Sequence, residues 1–167
     1  MASGLRVARG FILTFMLSGL ISACATSPGR FSDTPDSLDE QAFTGLIGSL
    51  RPQQLREGQC GLFLWTRSEK RELVFFGNGA RAEGKMMIAG EETTYTRVSA
   101  EGGAVFGQHP RQKFQSGDVT VTLILEIEGR TNMTGGAVVP RGSLRFEQKG
   151  GWKLVLPVGG LIACQTA

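Results

Sequence analysis

The sequence is short of the residues that metal sites and redox sites use most often. It contains a single histidine, His109, and three cysteines, none of them in a C-x-x-C pair. A histidine-rich metal centre and a thioredoxin-like redox motif are therefore excluded. The G-x-S-x-G sequence of serine hydrolases is also absent, which removes that nucleophile arrangement. We expect no metal and no dissociable cofactor.

An excess of charge of one sign is lacking as well. The chain has 18 lysine and arginine residues against 15 aspartate and glutamate residues, and only five of the basic residues are lysines. This near balance excludes nucleic acid as an expected partner, because nucleic-acid affinity depends on a surplus of cations that neutralise phosphates. With 41% hydrophobic residues in 167, the chain is long enough and apolar enough for one folded domain.

No apolar run reaches the roughly 20 residues that a transmembrane helix needs. A shorter apolar stretch of 14 residues, residues 10–23 (GFILTFMLSGLISA), follows Arg6 and Arg9. A positively charged start followed by a stretch of this length is typical of a secretory signal peptide. Its last residues and the cysteine after them, ISAC at residues 21–24, resemble a bacterial lipobox.

The lipobox resemblance implies cleavage before Cys24, a diacylglycerol on the Cys24 thiol and an acyl chain on its new amino group. Residues 1–23 are then a signal peptide of the lipoprotein type, and residues 24–36 are a lipidated, flexible tether rich in serine, threonine, proline and aspartate. Several acyl chains together make release from a membrane very slow. Ala25, which stands where a retention signal would have aspartate, implies the outer membrane, with the domain facing the periplasm.

Two cysteines remain once Cys24 carries lipid. Cys60 and Cys164 are separated by 104 residues. Export places them in an oxidising compartment, where such a pair is expected to form a disulfide. We therefore predict a Cys60–Cys164 disulfide that joins the start of the folded domain to its end.

The sequence predicts an all-β domain preceded by one short helix. Residues 37–52 carry an S-x-x-E capping box and apolar residues at helical spacing, which predict a helix packed on the domain. In residues 53–167, short apolar runs alternate with turn signals every 8–12 residues or so, a pattern typical of a small antiparallel barrel or sandwich, here of about eight strands. Strand order is invisible to this periodicity, so both architectures remain open.

The alternation of polar and apolar residues predicts the clearest strand of the domain. In residues 118–128 (DVTVTLILEIE), polar and apolar residues alternate with a period of two. Trp65 and Trp152 stand in or beside apolar runs and are predicted to be core residues. The PVGG sequence at residues 157–160 predicts a break between two strands. Many large apolar residues on few strands predict a filled interior if the domain is a barrel.

Residues 129–142 (GRTNMTGGAVVPRG) form the longest stretch without strand periodicity. Its length and glycine content predict a mobile binding loop. Arg130, Asn132 and Arg141 are its candidate binding residues, because guanidinium groups pair with carboxylates or phosphates. The alternative is a long hairpin connection with solubilising arginines.

These features predict a non-enzymatic envelope lipoprotein, in which a lipid-tethered β domain binds a protein or an envelope component.

A second hypothesis is a glycan-acting enzyme. Glu126 and Glu128 would share one strand face about 7 Å apart, a spacing compatible with paired glycosidase carboxylates. The alternative for these two glutamates is a solvated sheet face.

A third hypothesis rests on a resemblance. The segments at residues 99–106 (SAEGGAVF) and 113–117 (KFQSG) resemble parts of the membrane-bound inhibitors of c-type lysozyme, which are lipid-anchored small β-barrels with a disulfide. The resemblance implies a periplasmic lysozyme inhibitor that places Ser99 and Lys113 in the lysozyme cleft.

Overall fold

The computed structural model describes residues 45–131, 133–151 and 153–165. All of them belong to the compact unit Asp36–Ala167. The strands in the described part of the chain are β1 (Ile47–Gly48), β2 (Cys60–Thr66), β3 (Leu73–Asn78), β4 (Glu83–Ile88), β5 (Glu91–Glu101), β6 (Arg111–Ser116), β7 (Val119–Glu128), β8 (Gly136–Gln148) and β9 (Lys153–Cys164).

Strands β2 to β9 form one closed antiparallel barrel. Each strand pairs with the next along the chain, and β9 closes the barrel by pairing with β2 over the whole length of β2. A closed barrel has no unpaired sheet edge. The prediction of an all-β domain with about eight strands is confirmed, and the structure is a barrel rather than a sandwich.

The additional strand β1 completes the barrel wall beside β4. β3 pairs with only the first part of β4, and β1 pairs with the remainder. After β1 the chain returns to β3, where the Leu50 N–H donates a hydrogen bond to Leu73 O at 2.7 Å. Ile47 is buried in the core, so β1 contributes to the interior as well as to the wall.

The predicted helix over residues 37–52 is not confirmed. Its first part lies outside the described residues, and Ile47–Gly48 is a strand. Gly45 and Gly48 each weaken a helix by about 1 kcal/mol relative to alanine. Pairing with β4 instead allows Ile47 to bury its side chain completely, which explains why the strand is preferred.

Large apolar side chains fill the barrel interior, as expected. Along β7, Val121, Leu123 and Leu125 are buried and alternate with more exposed residues, which is the period of two that the sequence shows. Burial raises the pKa of Tyr95 to about 12. The core comprises Ile47, Leu62, Leu64, Val74, Phe75, Met86, Tyr95, Phe114, Val121, Leu123, Leu125, Ala137, Val139, Leu144, Phe146, Leu156, Val158 and Ile162.

The loop between β5 and β6, residues 102–110, folds back onto one end of the barrel. Gln108 is only 1% exposed, and its Nε2 donates a hydrogen bond to Gly77 O at 3.2 Å. Arg97 Nη1 donates to Gly107 O at 2.9 Å, which fastens the loop to β5. The loop is therefore a fixed part of the barrel end.

Strand β9 is longer than the sequence predicts. It runs without interruption from Lys153 to Cys164, so the predicted break at residues 157–160 is wrong. Pro157 is exposed and pairs in register with Ser143. Gly159 and Gly160 lie in the same strand, where the neighbouring strands approach the β9 backbone closely.

Candidate functional site

The Cys60–Cys164 disulfide is present as predicted. Its S–S distance is 2.01 Å, and the two residues are register partners across β2 and β9. The bond therefore joins the first and the last barrel strand at the seam where the barrel closes. Beyond it, the Gly58 N–H donates to Gln165 O at 2.9 Å, so hydrogen bonding along the seam extends past the disulfide.

Cys24, the predicted lipidation site, lies outside the described residues.

Within residues 45–131, 133–151 and 153–165, no helix is long and apolar enough to cross a membrane. In the same part of the chain, no group of three His, Cys, Asp or Glu side chains is placed to hold a metal ion.

The predicted binding loop, residues 129–142, is shorter in the structure. Only residues 129–135 connect β7 to β8, because β8 already begins at Gly136. The second half of the predicted loop is a strand because Ala137 and Val139 bury their side chains in the core.

The three candidate residues of that segment have different positions. Arg130 belongs to the short connection, Asn132 lies outside the described residues, and Arg141 lies on β8. Arg141 is the register partner of Glu126 on β7, and its Nε and Nη2 both donate hydrogen bonds to the Glu126 carboxylate. Arg141 therefore forms an ion pair on the outer wall.

Glu126 and Glu128 lack the environment of a glycosidase pair. Both are exposed, and a register shift falls between them in β7. The hydrogen bond from Arg141 holds the pKa of Glu126 below its usual range, whereas the general acid of a glycosidase needs a raised pKa. The geometry gives no support to a glycan-acting enzyme.

Ser99 and Lys113 are brought together by the fold. They are register partners across β5 and β6, and both are exposed on the outer wall. The same row of partners continues through Thr122 on β7 and Arg145 on β8. These side chains therefore lie on a broad strand surface and not on a projecting loop.

The structure also shows a site that the sequence patterns did not predict. A groove of about 660 Å³ lies where β2, β9 and β8 meet, next to the turn between β2 and β3. We call it the Trp65 groove, and its principal lining residues are Trp65, Arg67, Arg71, Pro140, Gly159 and Gly160. Its volume is within the range of about 300–1,000 Å³ that is typical of small-molecule sites.

Two consecutive glycines of β9, Gly159 and Gly160, line the groove, and Gly159, the register partner of Trp65, is the one on the outer face. A Cβ atom on Gly160 would overlap the carbonyl oxygen of Phe63 on β2, and a Cβ on Gly159 would stand 3.3 Å from Val139 O on β8. Any other residue at Gly160 would force the two strands apart. At Gly159, a side chain would also occupy space beside Arg67, whose Cδ is 3.9 Å from that Cβ position.

Trp65 is a groove residue and not the core residue that the sequence predicts. On β2, Leu62, Leu64 and Thr66 are buried, and the alternate residues Phe63 and Trp65 are half-buried on the outer face. The Phe63 and Trp65 rings are stacked, with centroids 6.2 Å apart. The prediction is wrong because a period of two separates the faces of a strand without saying which face is inside.

Arg67 and Arg71 give the groove its positive charge. Arg67 Nη1 donates a hydrogen bond to Pro140 O at 2.8 Å, which holds its guanidinium across the groove. Arg71 is exposed at the edge. Among the described residues, neither arginine forms an ion pair, and no carboxylate or imidazole lines the groove. In the described part of the chain, the lining of the groove therefore carries two positive charges and no negative one.

The sequence did contain a signal for this groove. In CGLFLWT (residues 60–66), bulky apolar residues occupy both faces of the strand, whereas a barrel strand that faces solvent needs only one apolar face. Of these outer aromatic residues, Phe63 also packs against Phe76, and Trp65 lines the groove.

Comparisons with family models, with curated proteins and with solved structures find no match. Since a barrel fold by itself implies no particular function, the function has to be argued from the site.

Proposed function

We propose that the protein is a non-enzymatic, lipid-anchored lipoprotein of the cell envelope that binds a protein or an envelope component in the Trp65 groove. The observation that carries this proposal is the chemistry of the groove. It combines a half-buried aromatic ring with two arginines that have no carboxylate partner among the described residues. Aromatic and arginine side chains dominate the energetics of binding sites.

The expected lipid anchor on Cys24 would keep the Trp65 groove, which lies on the outer face of the barrel, close to a membrane. Lipid on Cys24 and the tether of residues 24–36 would keep the domain close to the membrane, which we propose to be the outer membrane on its periplasmic side. A tether raises the effective concentration of the domain at that surface without any additional contact. The only non-protein groups required are the diacylglycerol and the N-acyl chain on Cys24.

Replacing Cys24 with alanine is expected to release the protein from the membrane. Without its thiol the residue cannot accept diacylglycerol, and the apolar stretch of 14 residues is shorter than the roughly 20 residues that span a bilayer. Fractionation of cells that express the full-length protein measures this change. Wild-type protein should sediment with membranes, and Cys24→Ala should shift to the soluble fraction. Cys60→Ser is the matched control and should remain with membranes; retention of Cys24→Ala there would refute the anchor.

Photo-crosslinking in cells tests the groove itself. A photoreactive phenylalanine derivative at Ser68, which lines the groove, should form adducts with a partner. The same group at Glu91, which is exposed at the start of β5, should form none above background. Mass spectrometry and glycan staining identify what is attached. Equal labelling at the two positions, or no labelling at Ser68, would contradict the proposal.

A second candidate function is inhibition of lysozyme, and the pairing of Ser99 with Lys113 favours it. The two residues that the resemblance implies are adjacent and exposed, so one partner surface could contact both. The photoreactive group at Thr122, the register partner of Lys113 on β7, distinguishes the candidates. When purified c-type lysozyme is added, an adduct at Thr122 without one at Ser68 supports the inhibitor function.

A further inference from the structure

We infer that the ligand of the Trp65 groove is a sugar ring that carries an anionic group. This inference rests on the proposed function, because it names the chemistry of the component that the same groove would bind. It follows from three features of the groove: its aromatic and glycine lining, its position in the wall of a closed barrel and its two arginines.

The shape of the groove favours a flat, ring-shaped ligand. Its lining includes Gly159 and Gly160, which have no side chains, the indole of Trp65 and the ring of Pro140. The face of an indole carries negative potential and therefore attracts the C–H groups on one face of a pyranose ring. A slot of this form accommodates a ring better than a branched side chain.

The backbone around the groove argues against an extended peptide. Gly160 of β9 is in register with Leu64 of β2 on one side and with Val139 of β8 on the other. Recognition of a peptide by strand addition needs an exposed sheet edge, and the closed barrel presents none at this point. Affinity in the groove therefore has to come from ring stacking and from side chains.

The charge of the groove specifies the substituent on the ring. The hydrogen bond from Arg67 to Pro140 O occupies one of five N–H donors of the guanidinium, and Arg71 stands exposed at the edge of the same groove. Guanidinium groups bind carboxylates and phosphates through paired hydrogen bonds. A carboxylate or a phosphate on the ring would give the guanidinium groups a charged acceptor that a neutral sugar lacks, and this favours an anionic sugar.

Saturation-transfer NMR with four small probes separates the contributions of ring and charge. Methyl β-D-glucuronide and glucose 6-phosphate have both features, methyl β-D-glucoside has only the ring, and acetate has only the charge. We expect the full-length protein in mild detergent to bind the first two at least about tenfold more tightly than the last two, since each charge-assisted hydrogen bond contributes substantially. The ratio of glucuronide to glucose 6-phosphate affinity distinguishes a carboxylate ligand from a phosphate ligand.

Substitutions of groove residues test whether the sugars bind in the Trp65 groove. Trp65→Ala and Arg71→Gln should each weaken glucuronide binding about tenfold or more, whereas Trp65→Phe, which keeps an aromatic face, should retain most of it. Arg81→Gln is the matched control, because Arg81 is exposed in the turn at the opposite end of β3 and should have no effect. Circular dichroism verifies that each variant is folded.

The outcomes also separate this inference from the proposed function. Equal affinity for glucuronide and glucoside, binding that is insensitive to Trp65→Ala and Arg71→Gln, or the absence of binding to every sugar would overturn the inference. If the sugars fail while the photoreactive group at Ser68 still captures a protein, the proposed function stands and the anionic sugar is wrong. If both experiments fail, the proposed function fails too.

Discussion

Gly160→Ala is expected to lower the free energy of unfolding by about 3 kcal/mol, the upper part of the range for overpacking a rigid site. The new methyl group would overlap the carbonyl oxygen of Phe63, which is backbone and cannot rotate away. Relief requires β2 and β9 to separate at the seam that closes the barrel. The loss should appear as a lower urea midpoint when unfolding is followed by circular dichroism.

Two other glycine substitutions make this prediction specific. Gly159→Ala adds the same methyl group one residue earlier, where it would stand 3.3 Å from Val139 O and 3.5 Å from Pro140 O, so we expect a cost of about 1 kcal/mol or less. Gly103→Ala, with no atom within 4 Å of the added Cβ, should be close to neutral. If Gly160→Ala has the midpoint of Gly103→Ala, the strands at the seam are not as close as the structure shows.

Removal of the Cys60–Cys164 disulfide is expected to lower the free energy of unfolding about as much as Gly160→Ala does. The double variant Cys60→Ser/Cys164→Ser should lose about 2–5 kcal/mol of unfolding free energy, because the bond constrains a loop of 104 residues in the unfolded chain. The variant should still fold, since the other register pairs between β2 and β9 remain. Chemical denaturation monitored by circular dichroism measures the loss.

A reductant provides the internal control for the disulfide. Dithiothreitol should lower the midpoint of the wild-type protein to that of the double variant and should leave the variant unchanged. A wild-type midpoint that does not respond to full reduction would show that strand pairing alone determines stability at the seam.

Both predictions concern the seam between β2 and β9, but they concern different parts of it. The disulfide joins the Cys60 end of β2 to β9, whereas Trp65 and Gly159 pair near the other end, where the groove lies. The register shift of β8 between Val139 and Gly142 adds Pro140 to the wall of the groove.

Several features of the fold followed from local patterns alone. The alternation in β7 and the short apolar runs predicted an all-β domain with about eight strands, and the count and compartment of the cysteines predicted the Cys60–Cys164 disulfide. Besides the placement of Trp65 in the core, two strand predictions failed at segments that contain glycine and proline. Residues 157–160 and 136–142 resemble turns in sequence, but they lie in β9 and β8 because long-range pairing and burial outweigh local turn preference.

The sequence by itself determined the all-β class and the clearest strand, β7, since the period of two depends only on neighbouring residues. It also determined the residues of the disulfide. The tertiary structure decided that the sheet closes, that β1 enters the wall and that Trp65 lies outside. Closure and register depend on contacts between residues about a hundred positions apart, such as Cys60 with Cys164. The groove arises from those contacts, because its aromatic lining and its glycine lining come from opposite ends of the barrel sequence.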